Sequence, residues 1–321
     1  MTDLTKLKGL GDWPKVRAKI EANVLAVIGN PSKQSVDLQL KITDETDFPG
    51  YVRRKINYFV DDWTRVSAWY FIPEGPDPKP AVLCLHSEVP QGKDEPAGID
   101  GEPRLAYAKH FAEMGYVTLA PDSITVGERV SAGLEPFDSK RFYKDYPKAS
   151  LIGKMLSDHM KCVELLTEAS CVDPARIGVI GHGLGACSAL FLAAFDDRVR
   201  SCVASCGVTP IADQEHPGRW PGESQLLLMP KLEKQRKKSG SAFEWDQIIA
   251  MIAPNPTLLV TALNDEVLPN TKACKTLVER AKKVYTLLGE GAAMEIRTHK
   301  GGHCVTAESL DASVEWFERW L

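Results

Sequence analysis

Short apolar segments alternate with longer segments of helical periodicity along most of the chain beyond residue 80, and this alternation restricts the fold more than any other feature. The apolar segments have five to seven residues each, which is a typical length for strands. They are residues 81–86, 116–120, 176–180, 199–205, 257–261 and 294–298, and the helical segments are residues 103–114, 149–168, 184–195, 271–285 and 307–320. Continuously apolar strands joined by helices are typical of a parallel sheet that is buried on both faces. The pattern therefore predicts an α/β fold with a doubly wound, mainly parallel sheet.

The rest of the chain adds three features to this predicted sheet. Residues 51–60 and 64–72 are rich in β-branched and aromatic residues and predict an antiparallel hairpin that precedes the parallel strands. Residues 1–50 are mixed in character and predict an N-terminal helical cap. Residues 208–248 interrupt the alternation with prolines and aromatic residues, and an insertion of this length predicts a lid-like segment. We expect residues 1–321 to form a single domain.

The composition excludes several classes of function. The chain has 39 Lys and Arg against 43 Asp and Glu, so its net charge of -4 argues against a nucleic-acid-coating or membrane-surface protein. No apolar run approaches the ~20 residues that span a bilayer, and the first residues lack the apolar region of a secretory signal. The eight cysteines include no C-x-x-C pair and are interpreted as small buried side chains in a reducing compartment. We expect a cytoplasmic protein without nucleic-acid or membrane partners, and the sequence leaves its oligomeric state open.

A glycine-rich turn follows the predicted strand at residues 176–180. The turn reads Gly181-His182-Gly183-Leu184-Gly185 and leads directly into a predicted helix. This is the frame of the G-x-S-x-G nucleophile elbow, in which a strained turn holds a serine at the carboxyl edge of a parallel sheet. Here Gly183 occupies the position of the serine. Because glycine has no side chain, position 183 itself cannot form a covalent intermediate.

Two further residues complete a catalytic pattern. Asp265 follows one predicted strand and His303 follows the last one, so the chain order is nucleophile position, acid and base. Such an acid fixes the tautomer of the histidine and stabilises its protonated form. Either residue alone would be interpreted as an ordinary loop or capping residue. Together, and after the turn at Gly183, they predict a catalytic acid and base.

The same pattern predicts where substrate would bind. An oxyanion hole at this turn needs the backbone N–H of Leu184 and a second N–H donor from the loop after residues 81–86, where Ser87 or Glu88 is the candidate. The predicted substrate-binding residues are His86, His182, Arg129 and Trp220. Three of these predictions have alternatives: hydrogen bonds within the strand end for His86, a structural ion pair for Arg129, and aromatic side chains buried within the insertion for Trp220.

Several stretches together resemble a known family. They are residues 82–86, 92–95, 111–122, 127–129, 172–182, 205–207, 252–256 and 301–303. In combination they resemble the α/β-hydrolases of the dienelactone-hydrolase-like and acetyl-xylan-esterase-like group, over residues 50–321. The resemblance implies the α/β-hydrolase fold, small carboxylic esters such as acetylated sugars or lactones as substrates, and Asp265 and His303 as acid and base. It implies no metal or organic cofactor. It does not supply a nucleophile, because the family has serine or cysteine where this chain has Gly183.

Three hypotheses about function therefore stay open. The chain could be a serine esterase that is inactivated by glycine at position 183. It could instead be an enzyme that works naturally without this serine and uses the His303–Asp265 pair as a general base, either to activate water or in a lyase-type or isomerase-type reaction. Thirdly, it could be a non-catalytic homologue that binds a small ligand. Catalysis is physically reasonable without a complete triad, because the oxyanion hole and substrate binding still accelerate hydrolysis by about 10³–10⁴-fold in serine hydrolases that lack a triad member.

Overall fold

A single nine-stranded sheet organises the part of the chain that the computed structural model describes, which is residues 2–32, 36–211, 226–269 and 271–321. The strands are β1 (Lys41–Phe48), β2 (Tyr51–Phe59), β3 (Arg65–Pro73), β4 (Lys79–Leu85), β5 (Val117–Pro121), β6 (Val172–His182), β7 (Ser201–Ser205), β8 (Thr257–Ala262) and β9 (Met294–His299). The helices are α1 (Trp13–Ile28), α2 (Tyr107–Glu113), α3 (Lys140–Asp145), α4 (Leu151–Glu168), α5 (Leu184–Phe195), α6 (Pro230–Ser239), α7 (Trp245–Ile252), α8 (Thr271–Leu287) and α9 (Ala307–Trp320).

The strand order is β1-β2-β3-β5-β4-β6-β7-β8-β9. Strands β1 to β3 form an antiparallel meander, and β3 pairs antiparallel with β5. All pairings from β5 to β9 are parallel, so the carboxyl ends of these strands lie along one edge of the sheet. The six apolar segments of the sequence are β4 to β9, and the predicted hairpin is β2 and β3. The prediction of an α/β-hydrolase fold is confirmed.

Helices cover both faces of the sheet, as the apolar strands require. One apolar core lies against α1, α4, α5, α7 and α8, and a second lies against α2 and α9. In the second core the ring of Phe111 packs edge-on against Phe317, with 5.3 Å between the ring centroids. Six of the eight cysteines are buried in these cores or at their margins, and all eight are free thiols. Among the described residues, no helix has the length and apolarity needed to cross a bilayer.

The predicted N-terminal cap is wrong at its carboxyl end. Helix α1 does cover the sheet, with Ile20, Val24 and Val27 in the core. However, β1 lies within residues 1–50, and it pairs with β2 as the edge strand of the main sheet. Its side chains are mostly exposed and polar, so the sequence carries no alternation of buried and exposed residues that would indicate a strand.

The predicted lid is also wrong for the part of the insertion that the structure describes. Phe243 and Trp245 are fully buried, and their rings pack against Phe191 of α5 at centroid distances of 6.2 and 5.6 Å. Helix α7, which begins at Trp245, is therefore a layer of the fold and not a cover over a pocket. Both side chains are buried, but they pack against α5 and not within the insertion alone, as the alternative expected. Residues 212–225, including Trp220, lie outside the described residues.

The first turn of α7 gives a prediction about stability and pH. Burial, followed by the charge of Glu244, raises the pKa of Asp246 from 3.8 to about 6, and Arg280 at 3.9 Å offsets only part of this shift. Ionisation of Asp246 therefore costs stability as the pH rises from 3.8 to 6, and the full cost is present above pH 6. We expect Asp246→Asn to stabilise the protein at pH 8 by up to about 3 kcal/mol. Urea unfolding at pH 8 and pH 5 measures the effect, which should be smaller at pH 5. An equal effect at both pH values would contradict the prediction.

Candidate active site

The strand–turn–helix predicted from the glycines is present at the carboxyl edge of the sheet. Strand β6 ends at His182, α5 begins at Leu184, and Gly183 between them has φ 57° and ψ −119°. This positive φ is a conformation that residues with a side chain rarely adopt. A Cβ atom at Gly181 would overlap the backbone of Gly185, and one at Gly185 would overlap the carbonyl oxygen of Leu85. Two of the glycines therefore allow close backbone contacts, whereas Gly183 allows the strained turn.

The predicted acid and base lie side by side at this edge. His303 Nδ1 is 3.0 Å from both carboxylate oxygens of Asp265. The Asp265 carboxylate also accepts the backbone N–H groups of Val267 at 3.0 Å and Leu268 at 2.7 Å. Burial would raise the pKa of Asp265, but the hydrogen bonds from His303 and from these N–H groups outweigh it, and the pKa is lowered. An ionised Asp265 keeps the proton of the imidazole on Nδ1 and leaves Nε2 to face the site.

Nε2 of His303 faces the turn at Gly183. It lies 3.3 Å from the point that a Cβ atom at Gly183 would occupy. His182 supports this orientation, because its buried ring packs against the His303 ring at a centroid distance of 4.7 Å. Nδ1 of His182 is 3.1 Å from Ser205 Oγ. His182, which was predicted to bind substrate, is thus a buried neighbour of His303. We interpret it as a residue that holds the His303 ring in place.

The predicted oxyanion donors also lie at the turn, but a carboxylate fills the space between them. The N–H of Leu184 donates to Glu88 Oε2 at 3.0 Å, and Ser87 Oγ donates to the same oxygen at 3.4 Å. A Cβ atom at Gly183 would be 2.5 Å from Ser87 Oγ and 2.9 Å from Glu88 Oε2. Sequence reasoning named Glu88 only as an alternative oxyanion donor and missed the role of its carboxylate. No motif marks it, and only its position directly after Ser87 could have suggested it.

Two of the predicted substrate-binding residues, His86 and Arg129, have partners within the protein. His86 is buried, its Nδ1 donates to the carbonyl oxygen of Ser87 at 2.7 Å, and its Nε2 accepts the backbone N–H of Ser123 at 3.0 Å. Burial lowers the pKa of His86, which keeps the ring neutral and suited to both bonds. His86 therefore fixes the loop that carries Ser87. The side chain of Arg129 is largely buried, and its guanidinium is 2.8 Å from Asp158. This is a structural ion pair, and its charge is not available to a substrate.

Cys206 is a further residue of the site that the sequence did not reveal. It follows β7 and has a positive φ of 48°, which is rare for a residue with a side chain. Among the described residues, Cys206, Asp265 and His303 form the one group that brings three potential metal ligands within 4.8 Å of one another. However, burial and the negative charge of Asp265 raise the pKa of Cys206 to about 12. Without a bound metal ion the thiol is therefore protonated at neutral pH, whereas a metal ligand must be a thiolate. We interpret Cys206 as a neutral neighbour of the carboxylate.

Comparison of the sequence with known proteins finds one family model and several hydrolases that are similar to this chain. The model of the Dienelactone hydrolase family matches residues 66–221. YtaP of Bacillus subtilis (strain 168), which is named as a hydrolase, is 26% identical over 249 residues, and these are 76% of this chain and 79% of YtaP. The 2,6-dihydropseudooxynicotine hydrolase of Paenarthrobacter nicotinovorans is 28% identical over 200 residues. These residues are 61% of this chain but only 47% of that enzyme.

Solved structures agree on the fold. The glucuronoyl esterase from Solibacter usitatus superposes with a TM-score of 0.75 at 16% identity, and the match covers 98% of this chain and 96% of the esterase. At this identity the likeness is one of fold. The family match and the fold agree with the residue patterns of the sequence. The chain has the α/β-hydrolase fold, and its residues 66–221 are similar to the Dienelactone hydrolase family.

Proposed function

We propose that the protein hydrolyses small carboxylic esters, with His303 as general base and Asp265 as the acid that orients it, although position 183 has no nucleophile. The reaction would take place above Gly183, where the Nε2 atom of His303 faces the turn. Hydrolase relatives and esterase neighbours support the reaction class. The eight free thiols agree with a reducing, cytoplasmic compartment, which we also propose.

One observation carries this proposal. The imidazole of His303 is held by two contacts to Asp265 at 3.0 Å, and its Nε2 ends 3.3 Å from the missing Cβ of Gly183. A homologue that only binds a ligand has no need of an imidazole oriented in this way. A general base must lie within hydrogen-bond reach of the proton that it removes, directly or through one water molecule. This site meets that requirement for a reacting group above the turn.

Turnover by the purified protein tests the proposal directly. We expect release of 4-nitrophenolate from 4-nitrophenyl acetate, measured by absorbance, at a rate above that of buffer. The panel should also include alkyl acetates and acetylated sugars, with acid release followed by pH-stat. The proposal fails if none of these esters is turned over while one of them binds, because the protein would then be a ligand-binding homologue.

Variants at Gly183 separate this proposal from the hypothesis of an inactivated serine esterase. We expect Gly183→Ala and Gly183→Ser both to lower ester turnover, because their Cβ atoms would lie 2.5 Å from Ser87 Oγ and 2.9 Å from Glu88 Oε2. The positive φ at this residue adds a cost of about 1–2 kcal/mol for any side chain. Gly183→Ala is the matched control for added volume without a hydroxyl. A gain of about 10³-fold with Gly183→Ser alone would instead identify an inactivated serine esterase.

A further inference from the structure

The loop after β4 places the hydroxyl group of Ser87 close to the position that the hydroxyl of a serine at residue 183 would occupy. Ser87 Oγ lies 2.5 Å from the position of a Cβ atom at Gly183. A serine at position 183 would hold its Oγ about one C–O bond length from that same Cβ. The hydroxyl of Ser87 therefore reaches the elbow from the opposite side of the site, from the loop that was predicted to supply an oxyanion donor. The absence of a side chain at Gly183 is what leaves room for it.

The groups that a nucleophilic serine needs surround this hydroxyl. His303 Nε2 lies 3.3 Å and Ser87 Oγ 2.5 Å from the same point above Gly183, so both groups border the space that an elbow serine would fill. In structures without substrate, the hydrogen bond between nucleophile and base is often longer than in the reacting complex. The N–H of Leu184, at the first turn of α5, points at the same space and currently donates to Glu88 at 3.0 Å. A base, an oxyanion donor and the Ser87 hydroxyl thus border one space above Gly183.

The position of Ser87 is fixed by its neighbours and is not that of a mobile surface residue. Its side chain is buried, with 7% of the residue exposed. Its carbonyl oxygen accepts a hydrogen bond from His86 Nδ1 at 2.7 Å, and its hydroxyl donates to Glu88 Oε2 at 3.4 Å. His86 is in turn held by the N–H of Ser123 at 3.0 Å. The hydrogen bonds of the buried His86 therefore hold the loop that carries Ser87 in a position that faces the turn at Gly183.

We propose that Ser87 is the nucleophile of this hydrolase, moved from the elbow to the facing loop, and that Ser87, His303 and Asp265 act together on small carboxylic esters. This inference rests on the proposed function and names the group that attacks the ester. Glu88 holds the Ser87 hydroxyl and the Leu184 amide in the resting state. The carbonyl oxygen of the ester displaces this carboxylate when substrate binds.

The reaction balances with water as the only co-substrate. Ser87 Oγ forms a bond to the ester carbonyl carbon while His303 Nε2 takes its proton, and the π electron pair of the carbonyl moves to the oxygen beside the Leu184 N–H. Collapse of this intermediate breaks the bond to the alcohol oxygen, which leaves with its electron pair and receives the proton from His303. Water then gives a proton to His303 and attacks the acyl carbon. Ser87 Oγ leaves, recovers that proton, and the carboxylic acid is released.

A fluorophosphonate probe tests the proposal on the full chain. The probe phosphonylates activated serine hydroxyls, and peptide mass spectrometry identifies the modified residue. We expect labelling of Ser87 in the parent protein and none at that peptide in Ser87→Ala. We also expect kcat for 4-nitrophenyl acetate to fall by on the order of 10³-fold or more in Ser87→Ala. Ser131→Ala, which changes a serine outside the site, is the matched control and should keep both labelling and turnover.

The outcomes distinguish this inference from the function on which it rests. If Ser87→Ala keeps turnover that still depends on His303, the inference is overturned and direct attack by water stands. If the parent protein is not labelled at Ser87 but Ser87→Ala loses turnover, Ser87 positions other groups and the inference is also overturned. Ser87→Cys gives a second readout, because its thiol should form an acyl-enzyme that mass spectrometry detects at residue 87. Absence of any ester turnover by the parent protein would overturn the function and the inference together.

Discussion

Replacing His303 by alanine is expected to lower kcat/KM for small esters by about 10³–10⁴-fold, with little effect on folding. The variant removes Nε2, which is the atom that faces Gly183, and leaves the carboxylate of Asp265 without its charge-stabilising partner. His303 lies in a loop after β9 and contributes no side chain to either apolar core. The loss should therefore appear in the rate and not in the unfolding midpoint. Initial rates with 4-nitrophenyl acetate and urea unfolding of the same preparation measure both quantities.

A control variant and a second variant of the His303–Asp265 pair accompany this experiment. His110→Ala changes a histidine of α2 that makes no contact with the Asp265–His303 pair, and it should leave the rate unchanged. Asp265→Asn keeps the shape of the side chain but should lower kcat strongly. The amide no longer selects the tautomer of His303 that carries its proton on Nδ1. The pKa of Asp265 lies below 3.8, so a loss of activity during acidification to pH 5 must come from another group. Full activity in His303→Ala would contradict the assigned role of the base.

The sequence was sufficient for most of the fold because burial leaves a periodic signature. Strands β4 to β8 are largely buried on both faces, and several of the helices between them carry apolar residues at helical spacing, so these elements could be recognised individually. Strand β1 could not, because it is an edge strand whose side chains are mostly polar and exposed. Its identity depends on pairing with β2, which is a tertiary contact. The buried Trp245 was misinterpreted for a similar reason, since aromatic residues in an insertion can cover a pocket or fill a core.

The sequence predicted the positions of the site residues correctly only where the order of strands along the chain determines which residues meet. Asp265 and His303 follow strands whose carboxyl ends must share one edge, so their proximity followed from topology. The charge of Arg129 was visible, but its burial against Asp158 was not. Ser87 was predicted as an oxyanion donor, whereas the structure brings its hydroxyl to the missing side chain of Gly183. Such contacts across a site depend on side-chain directions, which no local pattern encodes.

The second large expected effect concerns Gly185, whose backbone packs directly against the carbonyl oxygen of Leu85. We expect Gly185→Ala to destabilise the protein by about 3 kcal/mol or more and to abolish ester turnover, because a methyl group at this position would overlap the carbonyl oxygen of Leu85 and approach that of His86. Neither oxygen belongs to a flexible side chain, so relief requires α5 to move away from β4. That movement would also shift the N–H of Leu184 and the loop that carries Ser87.

Gly11→Ala is the matched control, because a Cβ atom there would meet no other atom within 4 Å. Urea unfolding of the two variants and the parent protein gives the difference in unfolding free energy, and ester turnover is measured on the same samples. A Gly185→Ala variant with parental stability would mean that α5 and β4 can separate at no cost. In that case the turn would not be the rigid support that the proposed chemistry needs, since its donors could not stay aligned with the developing oxyanion.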